Sequence, residues 1–168
     1  SDEHSAIATS APVVSSNGRY VVFGSNATNL VTGDSNLAGD IFIRDRQLGS
    51  TTRVSLADDE SQSDGWSVQP VLSSDGNKVV FLSTATNLVV GDTNVVPDIF
   101  VRDISLGTTE RVNLSSIGAE TSGSITGSTI LISSNGRYVF FLSDASTLVS
   151  GDTNTASDLF VRDLVADT

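Results

Sequence analysis

The sequence predicts an all-β fold made of three copies of one unit. Three motifs recur in the same order with a period of about 60 residues, which is typical of a repeat architecture. The motif Ser-Ser-(Asn/Asp)-Gly begins at Ser15, Ser73 and Ser133, and the motif Gly-Asp-(Ser/Thr)-Asn begins at Gly33, Gly91 and Gly151. A third motif, Asp-aliphatic-Phe-aliphatic-Arg-Asp, occupies Asp40–Asp45, Asp98–Asp103 and Asp158–Asp163. No helical period of about 3.6 residues accompanies them, so we expect the units to consist of strands.

The first two strands of each unit flank the Ser-Ser-(Asn/Asp)-Gly motif. The first strand is expected at Val13–Ser15, Val71–Ser73 and Ile130–Ile132. The second strand is expected at Tyr20–Phe23, Val79–Leu82 and Tyr138–Phe141. Asn-Gly or Asp-Gly between two apolar runs predicts a tight hairpin in which both turn residues have positive φ.

The third strand is the Asp-to-Asp motif, and a Leu-Gly turn then leads to the fourth strand. We expect fourth strands at Thr52–Leu56 and Glu110–Leu114. Thr168 aligns with Thr108, which precedes the fourth strand of the second unit, so we expect the third unit to lack its fourth strand.

Antiparallel strands with continuous apolar runs indicate sheets that are covered on both faces. The radially packed blades of a propeller satisfy this requirement, since each blade lies between two neighbours. The Ser-Ser-(Asp/Asn)-Gly turn, the Val-x-Phe strand, the Asp-Ile-Phe-Val-Arg-Asp strand and the Gly-led last strand together resemble the repeat of the TolB-like, WD-repeat-like β-propeller family of bacteria. The resemblance covers almost the whole chain. It implies a single array with blade 1 at residues 1–57, blade 2 at 58–115 and an incomplete blade 3 at 116–168.

Composition excludes several classes of function. There are 20 acidic and 9 basic residues, giving a net charge of −11, which argues against a nucleic-acid partner. The absence of cysteine excludes disulfides, zinc-thiolate sites and a cysteine nucleophile. No apolar run approaches the roughly 18 residues of a membrane span. The acidic, lysine-poor composition favours an extracellular or periplasmic location, with an acidic cytoplasmic domain as the alternative.

The loop pattern Gly-Asp-x-Asn-x-x-x-Asp predicts one calcium site in each unit. The oxygen donors are Asp34, Asn36 and Asp40, then Asp92, Asn94 and Asp98, and finally Asp152, Asn154 and Asp158. Calcium takes six to eight oxygen ligands, and paired carboxylates repel one another unless a cation lies between them. The alternative is that the same residues form Asx-turns and ion pairs with the arginines of the sheet, without a metal.

No catalytic constellation is predicted. A serine triad needs an imidazole base, and the one histidine, His4, lies in the N-terminal lead-in. Trp66 breaks the repeat and is a candidate to stack on a sugar, to anchor a partner, or to cap a blade edge. The Arg-Asp pairs that end the third strands are interpreted as bridges between blades, with ligand contacts as the alternative. These pairs are Arg44-Asp45, Arg102-Asp103 and Arg162-Asp163.

Three blades are too few for a closed ring, because known propellers have roughly four to eight. We therefore expect a non-catalytic scaffold or interaction module that self-assembles, either as a six-bladed ring of two chains or as a head-to-tail filament. Ser5–Ser10 is the candidate donor strand for the edge beside Asp158–Asp163. The alternative is that a longer parent chain supplies the missing strand and further blades, as in a larger secreted propeller enzyme, a carbohydrate-binding or protein-binding protein, or a partner-binding subunit of the TolB type.

Overall fold

A computed structural model describes residues 10–154, 156–166 and 168. These residues form strands, turns and loops, and none of them lies in a helix that could cross a membrane. The strands are β1 (Val13–Val14), β2 (Tyr20–Ser25), β3 (Asp40–Asp45), β4 (Ser50–Arg53), β5 (Ser67–Leu72), β6 (Lys78–Ser83), β7 (Asp98–Asp103), β8 (Thr108–Arg111), β9 (Ile125–Ile132), β10 (Tyr138–Ser143) and β11 (Asp158–Asp163).

The strands form three antiparallel sheets, each from strands that are consecutive in the chain. The sheet orders are β1-β2-β3-β4, β5-β6-β7-β8 and β9-β10-β11. The all-β prediction of three related blades is confirmed, and no fourth strand is present in the third blade among the described residues. The third strands also have the predicted bounds in all three blades.

The hairpin between the first two strands differs from the prediction. Gly18 has a φ of 69°, but Asn17 does not have positive φ, so the expectation of two positive-φ residues is wrong. The N–H of Gly18 donates to the carbonyl of Ser15 at 2.9 Å. The side-chain oxygen of Asn17 accepts from the N–H of Arg19 at 2.9 Å. This Asx-type bond holds a longer turn, in which only the glycine needs the left-handed conformation.

The fourth strands begin and end earlier than predicted. Gly49, with a φ of 69°, closes the preceding turn by donating its N–H to the Asp45 carbonyl at 2.9 Å. Pairing therefore starts immediately afterwards, at Ser50 in β4 and at Thr108 in β8. The strands end at Arg53 and Arg111 instead of Leu56 and Leu114.

Two first strands are longer than predicted. In blade 2, β5 begins at Ser67 and contains a bulge between Val68 and Val71. Pro70 has no N–H for the ladder, and Gln69 has a φ of 55°, so the regular pairing is interrupted there. The sequence therefore identified only the part of the strand beyond the bulge.

The apolar core lies between the blades. One cluster joins Val22, Ile41 and Ile43 of blade 1 to Phe81 and Phe100 of blade 2. A second cluster joins the opposite face of blade 2 to blade 3, and its residues occupy the same repeat positions as those of the first cluster. We call the face that a blade turns toward the next blade in the chain its following face, and the opposite face its preceding face. Because both faces of blade 2 are covered, the third strand β7 is buried along its whole length.

Candidate functional site

The first acidic loop is built as a turn around Asn36. The side-chain amide of Asn36 donates to the Asp40 carboxylate at 3.1 Å and to the Ser63 carbonyl at 3.0 Å. Its oxygen accepts from the N–H of Ala38 at 3.2 Å. The sequence folds this way because an asparagine side chain bonds readily to backbone two residues further on. The turn places Asp40 at the buried start of β3.

An arginine of the fourth strand lies between the two aspartates of this loop. Nη2 of Arg53 is 3.1 Å from Oδ1 of Asp34, and its Nε is 3.7 Å from Oδ2 of Asp40. All three side chains are buried. Burial raises the pKa of the Asp34 carboxyl above its ordinary value, while Arg53 opposes this shift and Asp40 adds to it. The guanidinium supplies positive charge at the place where the sequence suggested a cation.

The second loop holds its arginine more tightly. Nη1 of Arg111 lies 3.2 Å from Asp92, 3.1 Å from Asp98 and 2.7 Å from Glu120. Burial and the neighbouring Asp98 raise the pKa of Asp92, against the effect of Arg111. One guanidinium therefore meets three carboxylates, which leaves a local excess of negative charge.

Sequence reasoning did not identify Glu120 as part of this cluster. Its carboxylate accepts from the hydroxyl of Thr93 at 2.6 Å and from the N–H of Thr93 at 2.8 Å. These bonds and Arg111 lower the pKa of Glu120 to about 2. Gln62 makes the equivalent contacts to Ser35 in blade 1, so the repeat alignment could have shown that this position belongs to the loop.

The third loop has the same turn but a different electrostatic environment. Asn154 donates to Asp158 at 3.0 Å and accepts from the N–H of Ala156 at 2.8 Å, as in the other loops. The described residues of blade 3 include no fourth strand and no counterpart of Arg53 or Arg111. Within the part of the chain that the structure describes, no cation pairs with Asp152 or Asp158. Among the described residues, the two carboxylates of this loop have no cationic partner.

Calcium binding by the nine loop residues stays a prediction. Residues 10–154, 156–166 and 168 contain no group of three or more acidic, histidine or cysteine side chains placed to hold a metal. In the first two loops, a calcium ion would have to displace an arginine from the space between the aspartates. The third loop has no such competitor among the described residues.

In the Arg-Asp pairs, Arg102 contacts the preceding segment of the chain, whereas Arg44 contacts Thr51 of its own blade. Arg102 donates to the Ala57 carbonyl at 3.1 Å and also contacts Glu60, which ties blade 2 to the segment that follows β4. The aspartates do not bridge blades, contrary to our interpretation. Asp45 pairs with Arg19 of its own blade at 2.7 Å. Asp103 and Asp163 likewise pair with the cation that precedes or begins the second strand of their own sheet.

Trp66 packs at the junction of two blades. Its ring lies so close to Gly39 that a Cβ atom there would come within 2.7 Å of Trp66 Cε3. The side chain is 48% exposed, and its backbone N–H donates to the Thr84 hydroxyl at 3.0 Å. This geometry fits the cap on a blade edge. The other unrepeated candidates, His4 and the segment Ser5–Ser10, lie outside the described residues apart from Ser10.

Blade 3 leaves an apolar face open. Leu131, Leu159 and Val161 on its following face are 55%, 66% and 54% exposed. The corresponding positions of β7 are Ile99 and Val101, which are 0% and 3% exposed because blade 3 covers them. The same sequence pattern is thus buried in one blade and exposed in the other.

Comparison with known proteins shows the fold. No family model matches the chain, and no curated protein matches it. Among solved structures, TolB from Acinetobacter baumannii matches with a TM-score of 0.51 and 15% identity over 95% of this chain and 30% of its own. A putative TolB from Agrobacterium tumefaciens has a TM-score of 0.52 and 17% identity over 92% of this chain and 45% of its own. The β-propeller domain of the Trilobed protease from Pyrococcus furiosus has a TM-score of 0.55 and 13% identity over 94% of this chain and 39% of its own.

The chain spans less than half the length of these three matched structures. The likeness extends through all three blades and agrees with the sheet order described above. The protein therefore has the TolB-like β-propeller fold that its repeats predict.

Proposed function

We propose that this chain is a non-catalytic β-propeller module that serves as a scaffold or interaction module by joining its blades head to tail with those of a second copy. The observation that carries the proposal is the exposed following face of blade 3, with Leu131, Leu159 and Val161 at its centre. Apolar surface of this kind marks an interaction site when it is contiguous.

The two ends of the array are complementary. The following face of blade 3 consists of the same repeat positions as the following face of blade 1. In blade 1 this face packs on Leu72, Val79 and Phe81 of blade 2. Blade 1 offers the counterparts of those residues on its preceding face, where Val14 is exposed and Val21 and Phe23 are half-buried. A head-to-tail contact of this kind gives a ring when the rotation closes and a filament when it does not. Two chains together supply six blades, which is enough for a ring.

A non-catalytic role is supported by what the acidic residues already do. The paired aspartates of the first two loops are engaged by Arg53 and Arg111 and by the asparagine turns. A general acid or base needs access to substrate, whereas these carboxylates are buried against their own fold.

Calcium and location are further parts of the proposal. Calcium is proposed at the third loop, where Asp152 and Asp158 have no arginine among the described residues, and would neutralise part of a net charge of −11. An extracellular or periplasmic location is supported by the acidic composition with a single lysine, Lys78.

A second candidate is a propeller segment of a longer protein, including a longer enzyme. It is favoured by the comparison with the Trilobed protease, in which this chain matches 39% of a β-propeller domain. In that case the further blades are covalently attached, and they cover the same face of blade 3.

The mass of the native 168-residue chain distinguishes the two candidates. Sedimentation equilibrium or native mass spectrometry should show a dimer or a larger head-to-tail oligomer. Leu159→Asp should shift the distribution to monomer, because it places a charge on the following face of blade 3. Leu106→Asp is the matched control, since Leu106 is an exposed leucine in the β7–β8 turn, and should leave the mass unchanged. A folded monomer of the intact chain at micromolar concentration would overturn self-association.

A further inference from the structure

The two Asn-Gly turns of the chain are sites of covalent side-chain chemistry. We propose that Asn17 and Asn135 are deamidation sites, and that the opening of its own turn sets the rate at each of them. Asparagine is thermolabile, and it reacts most readily before glycine, because glycine has no Cβ to obstruct the close approach of its backbone nitrogen. These two are the asparagines of the sequence that precede a glycine. The proposal goes beyond the proposed function, since it concerns the turns and not the faces of the blades.

The reaction is a cyclisation followed by hydrolysis. The backbone nitrogen of the glycine loses its proton and attacks Cγ of the asparagine, which forms the N–Cγ bond of a succinimide. The Cγ–Nδ2 bond breaks, and ammonia leaves after taking up a proton through solvent. Water then opens the ring, giving aspartate when it attacks one ring carbonyl and isoaspartate when it attacks the other. Water is therefore the only co-reactant that the step needs.

In the folded β1–β2 turn, hydrogen bonds hold both groups that have to react. The N–H of Gly18 donates to the Ser15 carbonyl at 2.9 Å. The side-chain oxygen of Asn17 accepts from the Ser15 hydroxyl at 2.8 Å and from the N–H of Arg19 at 2.9 Å. The nitrogen that attacks and the carboxamide that is attacked each have partners of their own. We therefore expect the reaction to wait until these bonds open.

The β9–β10 turn of blade 3 repeats this arrangement. The N–H of Gly136 donates to the Ser133 carbonyl at 2.8 Å. The side-chain oxygen of Asn135 accepts from the Ser133 hydroxyl at 2.7 Å and from the N–H of Arg137 at 3.1 Å. Asn135 and Asn17 are both exposed. Exposed turns open locally at a lower free energy than the core strands do, so the reaction can proceed without unfolding of the blades.

The β5–β6 turn of blade 2 shows that the aspartate product fits the fold. Asp75 has the repeat position of Asn17 and Asn135, and its carboxylate accepts from the Ser73 hydroxyl at 2.6 Å and from the N–H of Asn77 at 3.0 Å. The Ser73 hydroxyl and then the Asn77 N–H lower the pKa of Asp75 below its ordinary value. Deamidation to aspartate thus gives the other two turns the form that blade 2 already has. Isoaspartate adds a methylene to the backbone of the turn and has no such precedent in the repeat.

The serine that precedes each asparagine allows one turn to be loosened without the other. The hydroxyl of Ser15 donates to Asn17 and also accepts from the N–H of Tyr20 at 2.9 Å, so Ser15→Ala removes two bonds of the first turn. The hydroxyl of Ser133 accepts from the N–H of Tyr138 at 2.9 Å in the same way. Ser133→Ala therefore makes the same change in blade 3, and each variant is the matched control of the other.

The test incubates the full chain at mildly alkaline pH and follows each asparagine by peptide mapping with mass spectrometry. In the native chain Asn17 and Asn135 should react at least about tenfold more slowly than in the chain unfolded in urea, because reaction through local opening scales with the open population. Ser15→Ala should raise the rate at Asn17 severalfold and leave the rate at Asn135 unchanged, and Ser133→Ala should do the reverse. Asp75→Asn should create a third site that is likewise slower in the native chain than in urea.

Three results would overturn the inference. Equal rates in the native and the urea-unfolded chain would show that the turns do not control the reaction. A rise at both asparagines in either serine variant would show that unfolding of the whole array controls it. A lower urea midpoint for Asn17→Asp than for the unchanged chain would show that the aspartate product does not fit the turn of blade 1.

Discussion

Blades 2 and 3 have nearly the same third strand but very different surroundings. β7 reads Asp-Ile-Phe-Val-Arg-Asp and is buried throughout, whereas β11 reads Asp-Leu-Phe-Val-Arg-Asp and exposes Leu159 and Val161. The difference lies in what covers them. β7 has a fourth strand beside it and another blade on each face, while within the described residues β11 has neither a counterpart of β8 nor a following blade. Burial in this fold is thus decided by neighbours in the array and not by the strand's own sequence.

The same comparison explains the acidic loops. In blade 2 the fourth strand contributes Arg111 and Asn113, and the segment after it contributes Glu120. The described part of blade 3 has no such contributions, and its loop keeps the asparagine turn.

The largest loss in the free energy of unfolding should come from removing the arginine of the acidic cluster in blade 2, because the loop of blade 2 then resembles that of blade 3. Arg111→Ala leaves Asp92, Asp98 and Glu120 without their shared cation in a buried site. Removing one partner of a buried ion pair costs about 3–5 kcal/mol. Urea denaturation should show this loss, and adding Asp92→Asn should recover part of it because one buried charge is then removed.

A matched control for this change is Arg44→Ala. Arg44 is an exposed arginine whose Nη1 donates to the Thr51 hydroxyl at 3.0 Å. Its removal should change the free energy of unfolding by less than about 0.5 kcal/mol, as is usual at the surface. Equal losses for Arg111→Ala and Arg44→Ala would contradict the role given to the acidic cluster.

The packing difference between the two blades can be tested at one repeat position. Ile99 of β7 is fully buried and Leu159 of β11 is exposed. Ile99→Ala should lower the free energy of unfolding by about 2–5 kcal/mol through lost burial and a cavity. Leu159→Ala should change it by no more than about 0.5 kcal/mol in the monomer. A large loss for Leu159→Ala at concentrations where the chain is monomeric would mean that this face is covered from within the chain.

Sequence reasoning predicted the repeats, the three sheets and the bounds of every third strand, because the motifs and apolar runs are local features. It placed Arg53 and Arg111 inside the fourth strands and offered ion pairs between the loops and arginines of the sheet as the alternative to calcium, without identifying these two arginines as the partners. That connection depends on register across the sheet, which sets Arg53 opposite Phe42 and beside Asp34. The fourth strands were also predicted to start too late, because pairing begins directly after the turn glycine, at Ser50 and Thr108. Glu120 was missed because it acts on an arginine that belongs to another segment.

Acid should weaken blade 2 through Glu120. Hydrogen bonds from Thr93 and Arg111 lower the pKa of Glu120 from 4.5 to about 2 in the folded state. The stabilisation is therefore fully present above pH 4.5 and is lost as the pH falls toward 2. Glu120→Gln should flatten this part of the dependence of the urea midpoint on pH. Gln62, the equivalent residue of blade 1, gives the converse control: Gln62→Glu should steepen it. An unchanged pH profile in Glu120→Gln would show that other carboxylates account for the acid sensitivity.

The smallest expected effect is that of calcium, and it should be confined to the third loop. Arg53 and Arg111 occupy the space between the aspartates of the first two loops, so calcium has to compete with a guanidinium there. Asp152 and Asp158 have no such competitor among the described residues. A ligand present at ten times its Kd stabilises the folded state by about 1.4 kcal/mol. Millimolar calcium should therefore raise the Tm modestly and a chelator should reverse the rise. Asp152→Asn should abolish the response, while Asp92→Asn, the same substitution at the equivalent position of blade 2, should retain it. A calcium response that survives Asp152→Asn but not Asp92→Asn would place the ion in the complete blade and reverse the comparison between the two loops.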